Sequence, residues 1–201
     1  KKLNKEGVLK NSNTFFIPNW PDDEYLKIAN DPFKDDKFHI LIVSRLVKHK
    51  GHFDLFEACL GIDNIVLHIV GSGPFLSKYK KYSNKLKIIF HGFQENVKPF
   101  YQLCHLQVLP SYTEGGHPLC LLEGLAAGIK CIGSNIPSIM EILGPEDIFE
   151  LGNPISIRNK ILEKIKTDNS DQHTKQFRFK HSSRYKYFNV FEDDFNQKQF
   201  Q

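Results

Sequence analysis

The sequence predicts an α/β protein built on a doubly wound parallel sheet. From residue 38 onward, short and nearly continuous apolar runs alternate with segments of helical length, and the loops that follow them are rich in Gly, Pro or Asn. Strands covered by helices on both faces lack the polar alternation of a half-exposed sheet. A regular strand-then-helix order argues for parallel pairing.

Taken in order, FHILIV (38–43) leads into GHFDLFEACLG, VLHIV (66–70) into FLSKYKKYS, and LKIIF (86–90) into VKPFYQLC. LQVLP (106–110) then leads into PLCLLEGLAA, KCIGS (130–134) into SIMEIL, and DIFEL (147–151) into SIRNKILEKIK. This sets the expected organisation: residues 1–36 precede the first strand, 37–166 form the α/β domain, and 167–201 form a polar linker and a helical tail. In the tail, Tyr185, Phe188, Phe191 and Phe195 recur at helical spacing, the pattern of a helix with a surface to cover.

Bulk properties narrow the class. A chain of 201 residues, 40% hydrophobic and 25% charged, is sized for one globular domain. Apolar runs are far shorter than the roughly 20 residues of a membrane helix, and the polar start KKLNKEGVLKNSN has no signal-peptide core. A net charge of +4 suits a local anion site and argues against nucleic acid as partner. Cys59, Cys104, Cys120 and Cys131 form no CxxC pair and read as reduced, buried thiols of a cytoplasmic protein. His49, His52, His68, His91 and His105 show no metal-ligand spacing, so no metal site is expected.

In doubly wound sheets ligands bind beyond the carboxyl ends of the strands, so the loops there carry the functional reading. In SRLVKHKG (44–51), Arg45 and Lys50 stand between a strand end and a helix that starts near Gly51. Helix N-termini attract anions, and two cations there form a phosphate clamp, unless both are solvated surface residues. The VGSGP turn (70–74) is no dinucleotide fingerprint, because Leu76 occupies the third glycine position.

The stretch EGGHPLCLLEG (114–124) brackets a turn with two acids. With Pro118 in the first helical turn, the N–H groups of Gly115, Gly116 and His117 can face an anion. Glu123 then lies roughly 10 Å along the helix axis, about the reach from a diphosphate to the ribose of one nucleotide. A carboxylate accepts two ribose hydroxyls well, but spacing alone leaves open an acid on a helix surface.

Together and in order, these segments resemble glycosyltransferase family 4 of the GT-B type, and specifically its C-terminal donor-binding half. FFIPNW is similar to "IPNG", VSRLVKHKG to "GRLxxxKG", LHIVGSGP to "LxIxGxGP", and IIFHGFQ to "VxFxGF". VLPSYTEGG is similar to "xxPSxxEGFG", and LLEGLAAGIKCIGSNIPSIMEIL to "LEAMAxGxPVVAxxxxxxxEIV". The collinear match spans residues 15–152.

The resemblance implies a Rossmann-like domain that binds a UDP- or GDP-sugar donor, with no further cofactor. It implies a metal-independent, retaining hexosyltransferase acting on a saccharide or lipid-linked acceptor in bacterial surface polysaccharide or glycolipid assembly, lipopolysaccharide included. By position, Arg45 and Lys50 stabilise the departing diphosphate, and Glu123 holds the ribose. The HGFQEN loop, with Gly92 and Phe93, lies against the base. Glu114, Gly115, Gly116 and His117, followed by Pro118 and Leu119, face the donor sugar and phosphates. The family's acceptor-binding half would precede residue 1, so this chain is expected to be inactive alone. A cytoplasmic location with peripheral contact at the inner membrane face goes with that picture.

Two positions depart from the pattern. Eight residues separate Glu114 from Glu123 where the family has seven, so either the turn carries an extra residue or Glu114 loses its sugar contact. Trp20 stands where the family has glycine after "IPN". A different class of function is a non-catalytic module whose basic-aromatic tail KQFRFKHSSRYKYF docks a partner or an anionic membrane. A sugar-nucleotide epimerase or phosphorylase would share the donor-site physics but matches the loops less well.

Overall fold

The computed structural model describes residues 19–167. Six strands form one parallel sheet in the order β3-β2-β1-β4-β5-β6, the doubly wound arrangement expected from the sequence. They are β1 (Phe38–Val43), β2 (Ile65–Val70), β3 (Ile88–Gly92), β4 (Leu106–Leu109), β5 (Lys130–Ser134) and β6 (Ile148–Phe149). The helices are α1 (His52–Cys59), α2 (Leu76–Tyr79), α3 (Lys98–Leu103), α4 (Leu119–Ala126), α5 (Pro137–Met140) and α6 (Pro154–Lys166). The tail and the FFIP of FFIPNW lie outside the described residues.

Alternation within the central strands builds a core on each face. Ile40 and Ile42 of β1 join Leu67, Ile69, Phe56, Tyr79, Ile157 and Ile161 on the side covered by α1, α2 and α6. Leu41 points the other way and joins Val70, Tyr101, Leu121 and Ile139 beneath α3, α4 and α5. At roughly 1.5–3 kcal/mol for each fully buried large apolar side chain, these two layers are the main source of stability. α1 and α6 are further joined by Arg158, whose guanidinium donates to the carbonyls of Ala58, Leu60 and Gly61 at the end of α1.

The SIMEIL helix is shorter than expected, spanning Pro137–Met140, and three further elements differ. The third strand starts at Ile88 and runs to Gly92, two residues later than LKIIF, because Leu86 packs into the core ahead of the strand and the register with β2 shifts at Ile69/Val70. The last strand is two residues long because Pro145–Asp147 forms a 3-10 turn, whose Asp147 is drawn into a buried pair with Lys164 at 2.7 Å. FLSKYKKYS divides into α2 and a 3-10 turn, Lys80–Asn84.

The strand order reverses between β1 and β4, which opens a crevice where the loops after these strands meet. Gly51 sets how closely they approach. Its φ of +71° is left-handed, and a Cβ there would lie 1.9 Å from the Pro110 carbonyl oxygen. Tyr112 N–H also donates to His49 O at 2.8 Å, so the two loops are stitched together by backbone.

Candidate active site

Lys50 ends the 3-10 turn Lys48–Lys50 just before α1. Its Nζ lies 2.6 Å from Glu114 Oε1, and the two side chains are only 14% and 10% exposed. A charged pair so far removed from water is weak evidence for stability but strong evidence for placement, since neither partner can leave without exposing the other. The candidate cation and the first candidate acid therefore meet across the reversal point. Arg45 is exposed, and among the described residues it makes no ion pair with Glu114.

Glu123 sits midway along α4 and is half-buried. Its Oε2 accepts a hydrogen bond from Tyr101 Oη at 3.0 Å, and Tyr25 meets the Tyr101 ring edge-on, with its hydroxyl under the electrostatic influence of the same carboxylate. Burial pushes the Glu123 pKa up, and the two tyrosine hydroxyls pull against it. The Cys120 thiol is pushed up to about 12 by burial and feels the charges of Glu114, Lys50 and Glu123 together. All four cysteines are free thiols.

α4 starts at Leu119 with Pro118 as its N-cap, one position earlier than a first-turn proline, and no side chain caps it. Its first N–H groups are thus open to a ligand. The preceding turn is tied down at His117, whose Nε2 is 3.0 Å from Glu141 Oε2 and whose carbonyl accepts from Asn19 Nδ2 at 2.7 Å. Asn19, the last residue of the IPN motif, therefore reaches the Gly-Gly-His turn. Residues 112–117 and the start of α5 bound a cleft of about 800 Å³, within the range of small-molecule sites. Glu114 lines this cleft and also holds Lys50, whereas Arg45, Lys50, Glu123, Gly92 and Phe93 lie outside its lining.

Gly115 and Gly116 contrast with Gly51. Neither has a left-handed φ, and a Cβ on either would meet nothing within 4 Å. Packing in the described chain gives no reason for glycine there. Gly92 ends β3 with φ +70°, and Phe93 beyond it is 71% exposed, so that loop presents an uncovered aromatic ring beside the sheet's carboxyl end.

Among the described residues no cluster of three His, Cys, Asp or Glu side chains is placed to hold a metal, and no helix is long and apolar enough to cross a membrane. The histidines instead form a hydrogen-bonded diagonal across the sheet. Asp35 Oδ1 is 2.9 Å from His39 Nε2, His39 Nδ1 is 2.8 Å from His68 Nε2, and His68 Nδ1 is 3.0 Å from His91 Nε2.

A six-stranded parallel sheet with helices on both faces is the Rossmann-like architecture of GT-B glycosyltransferase domains. The chain belongs to the glycosyl transferases group 1 family, whose model matches residues 24–181. One relative is the serotype-specific mannosyltransferase WbdA of Escherichia coli, 34% identical over 87 residues that cover 42% of this chain and 11% of WbdA. Among solved structures, the catalytic domain of cholesterol-alpha-glucosyltransferase from Helicobacter pylori superposes with a TM-score of 0.63 at 25% identity, covering 71% of this chain and 97% of that one. Anabaena Alr3699/HepE, solved with UDP and glucose, shares the fold with a TM-score of 0.65 at 17% identity, over 72% of this chain and 44% of HepE.

Proposed function

We propose that this chain binds the nucleotide-sugar donor of a retaining glycosyltransferase and stabilises the nucleoside diphosphate as it departs. The observation that carries the reading is the Lys50–Glu114 pair at the reversal point, with the uncapped start of α4 beside it. Bond cleavage at the anomeric carbon leaves negative charge on the diphosphate. A fixed cation and helix N–H groups lower that cost without reorganising. In the absence of ligand, Glu114 supplies the counter-charge to Lys50. An arriving diphosphate takes that place and frees the Glu114 carboxylate toward the cleft it lines, where a sugar hydroxyl can be held.

In this reading Glu123 binds the ribose, Arg45 swings from solvent onto the phosphates, and the Gly92–Phe93 loop faces the base. Gly115 and Gly116 leave room for the ligand to approach backbone, which is the reason for glycine that the chain's own packing does not supply. The motif resemblance supports a UDP- or GDP-sugar, retention and independence of metal, and HepE offers a neighbour of the same fold solved with UDP and glucose. WbdA supports assembly of a surface saccharide. Because the chain spans 11% of that relative, the acceptor and the full reaction belong to this proposal as well.

Titrating UDP- and GDP-sugars into the chain and into its Arg45→Ala and Lys50→Ala variants tests the reading. Binding weakened at least about tenfold by Lys50→Ala supports it, since hydrogen bonds to charged groups contribute roughly 1.5–3 kcal/mol. Equally weak binding by all three proteins overturns it.

A further inference from the structure

Glu123 is hydrogen-bonded by Tyr101 and faces a second tyrosine, Tyr25, from a separate element. Tyr101 belongs to α3 and is fully buried, with its hydroxyl 3.0 Å from Glu123 Oε2 and 3.1 Å from the Cys120 carbonyl oxygen. Tyr25 belongs to the 3-10 turn Asp23–Lys27, is 8% exposed, and meets the Tyr101 ring edge-on with centroids 5.9 Å apart.

Both tyrosines are themselves held. The Asn30 side-chain amide donates to the carbonyls of Tyr101, Gln102 and Cys104, fixing the end of α3. Lys98 lies 5.5 Å from the centre of the Tyr25 ring and pairs with Glu24, and Asp22 caps the turn by accepting from Glu24 N–H.

Such a bracket is more than packing requires. Phenylalanine would fill the same space without a phenol to satisfy. The Tyr101 hydroxyl instead donates to one oxygen of the carboxylate, with Tyr25 packed edge-on against the Tyr101 ring, and the other acceptor sites stay available. Burial and the nearby carboxylate keep both phenols protonated, with Tyr25 pushed up to about 12 and Tyr101 well above its usual value, so both remain donors at neutral pH.

We infer that Tyr101 and Tyr25 are positioning residues that hold the Glu123 carboxylate in one orientation, with its remaining lone pairs set for the vicinal diol of a nucleoside diphosphate. This rests on the assignment of Glu123 to the ribose. The tyrosines do not touch the ligand. They fix the rotamer of the group that does, so binding need not order it.

The test measures affinities of the 201-residue chain for UDP, GDP, their 2′,3′-dideoxy counterparts and inorganic pyrophosphate. It uses the unaltered protein, Tyr101→Phe, Tyr25→Phe and Glu123→Gln, with urea unfolding of each. The unaltered protein should prefer the ribonucleotide over its dideoxy form, and Glu123→Gln should abolish that preference. Each Tyr→Phe variant should reduce the preference by about threefold to tenfold, the scale of one ordinary hydrogen bond, since the tyrosines act only through Glu123, and leave pyrophosphate affinity unchanged. Tyr25→Phe carries the test if Tyr101→Phe does not fold.

Full preference retained in the folded Tyr→Phe variants overturns the positioning role while leaving the ribose assignment standing. Pyrophosphate affinity lost in the same proportion also overturns it, since that marks a general structural effect. No nucleotide binding, or a Glu123→Gln variant that discriminates like the unaltered protein, overturns the ribose assignment and the positioning role with it.

Discussion

Lys50 and Glu114 are 64 residues apart in sequence, yet Lys50 Nζ lies 2.6 Å from Glu114 Oε1 where the strand order reverses. Their contact joins the loop after β1 to the loop after β4 and sets the charge of the crevice between them.

Breaking this pair should cost stability unevenly. Lys50→Ala strands a largely buried carboxylate and should lower unfolding free energy by about 3 kcal/mol, as for other broken buried pairs. The double variant Lys50→Met/Glu114→Leu replaces both charges with apolar groups of similar size and should recover most of that loss. Urea unfolding at pH 7 measures both.

The glycines separate fold from function. Gly51→Ala drives a Cβ into the Pro110 carbonyl from a left-handed backbone and should destabilise the chain by more than about 2 kcal/mol. Gly115→Ala and Gly116→Ala meet open space and should stay within about 0.5 kcal/mol of the unaltered protein. Their effect should fall on nucleotide-sugar affinity, read by calorimetry beside the unfolding curves.

Acid should weaken the fold through buried neutral imidazoles. Burial, then the charge of Lys50, lowers the His52 pKa to about 3, and burial, then His39 and His91, lowers that of His68 to about 4. When unfolded, both take up a proton near their ordinary value of 6.5. Their contribution is complete above that value and is lost as pH falls through it toward the folded values, at about 1.4 kcal/mol per pH unit for each group. His52→Phe, which keeps a ring against Tyr79, should flatten the decline between pH 6.5 and 4 by one group's slope. Unfolding free energies at pH 7, 6 and 5 check this, and parallel curves for the two proteins would contradict it.

Much of this fold was legible because its signal is local. β1, β4 and β5 fall close to where apolar runs end in turn residues, since each strand is buried on both faces and bounded by its own loop. The third strand slipped by two residues because Leu86 is as apolar as the strand it precedes, and only packing distinguishes them.

At the candidate site, the residue types in the loops were readable and their partners were not. Nothing near Lys50 in sequence points to Glu114, because strand order rather than chain order brings them together. Tyr101 and Tyr25 resemble any core aromatics until α3 and the Asp23–Lys27 turn set their hydroxyls at Glu123. Glu141, which holds His117, lies in the SIMEIL run that reads as an ordinary helix. The histidine diagonal also had to wait for the register. Leu41 pairs with His68 and His68 with Ile89, so His39 and His91 each stand two residues from the position directly opposite.

The central claim is that the Lys50–Glu114 crossing is an anion site that a nucleoside diphosphate enters, and the double variant tests it most directly. Calorimetric titration of UDP and GDP into the unaltered chain and into Lys50→Met/Glu114→Leu compares two proteins of similar stability that differ in the crossing charges. The account predicts binding by the unaltered chain and a loss of at least about tenfold in the variant. Equal affinity in the two proteins would contradict it.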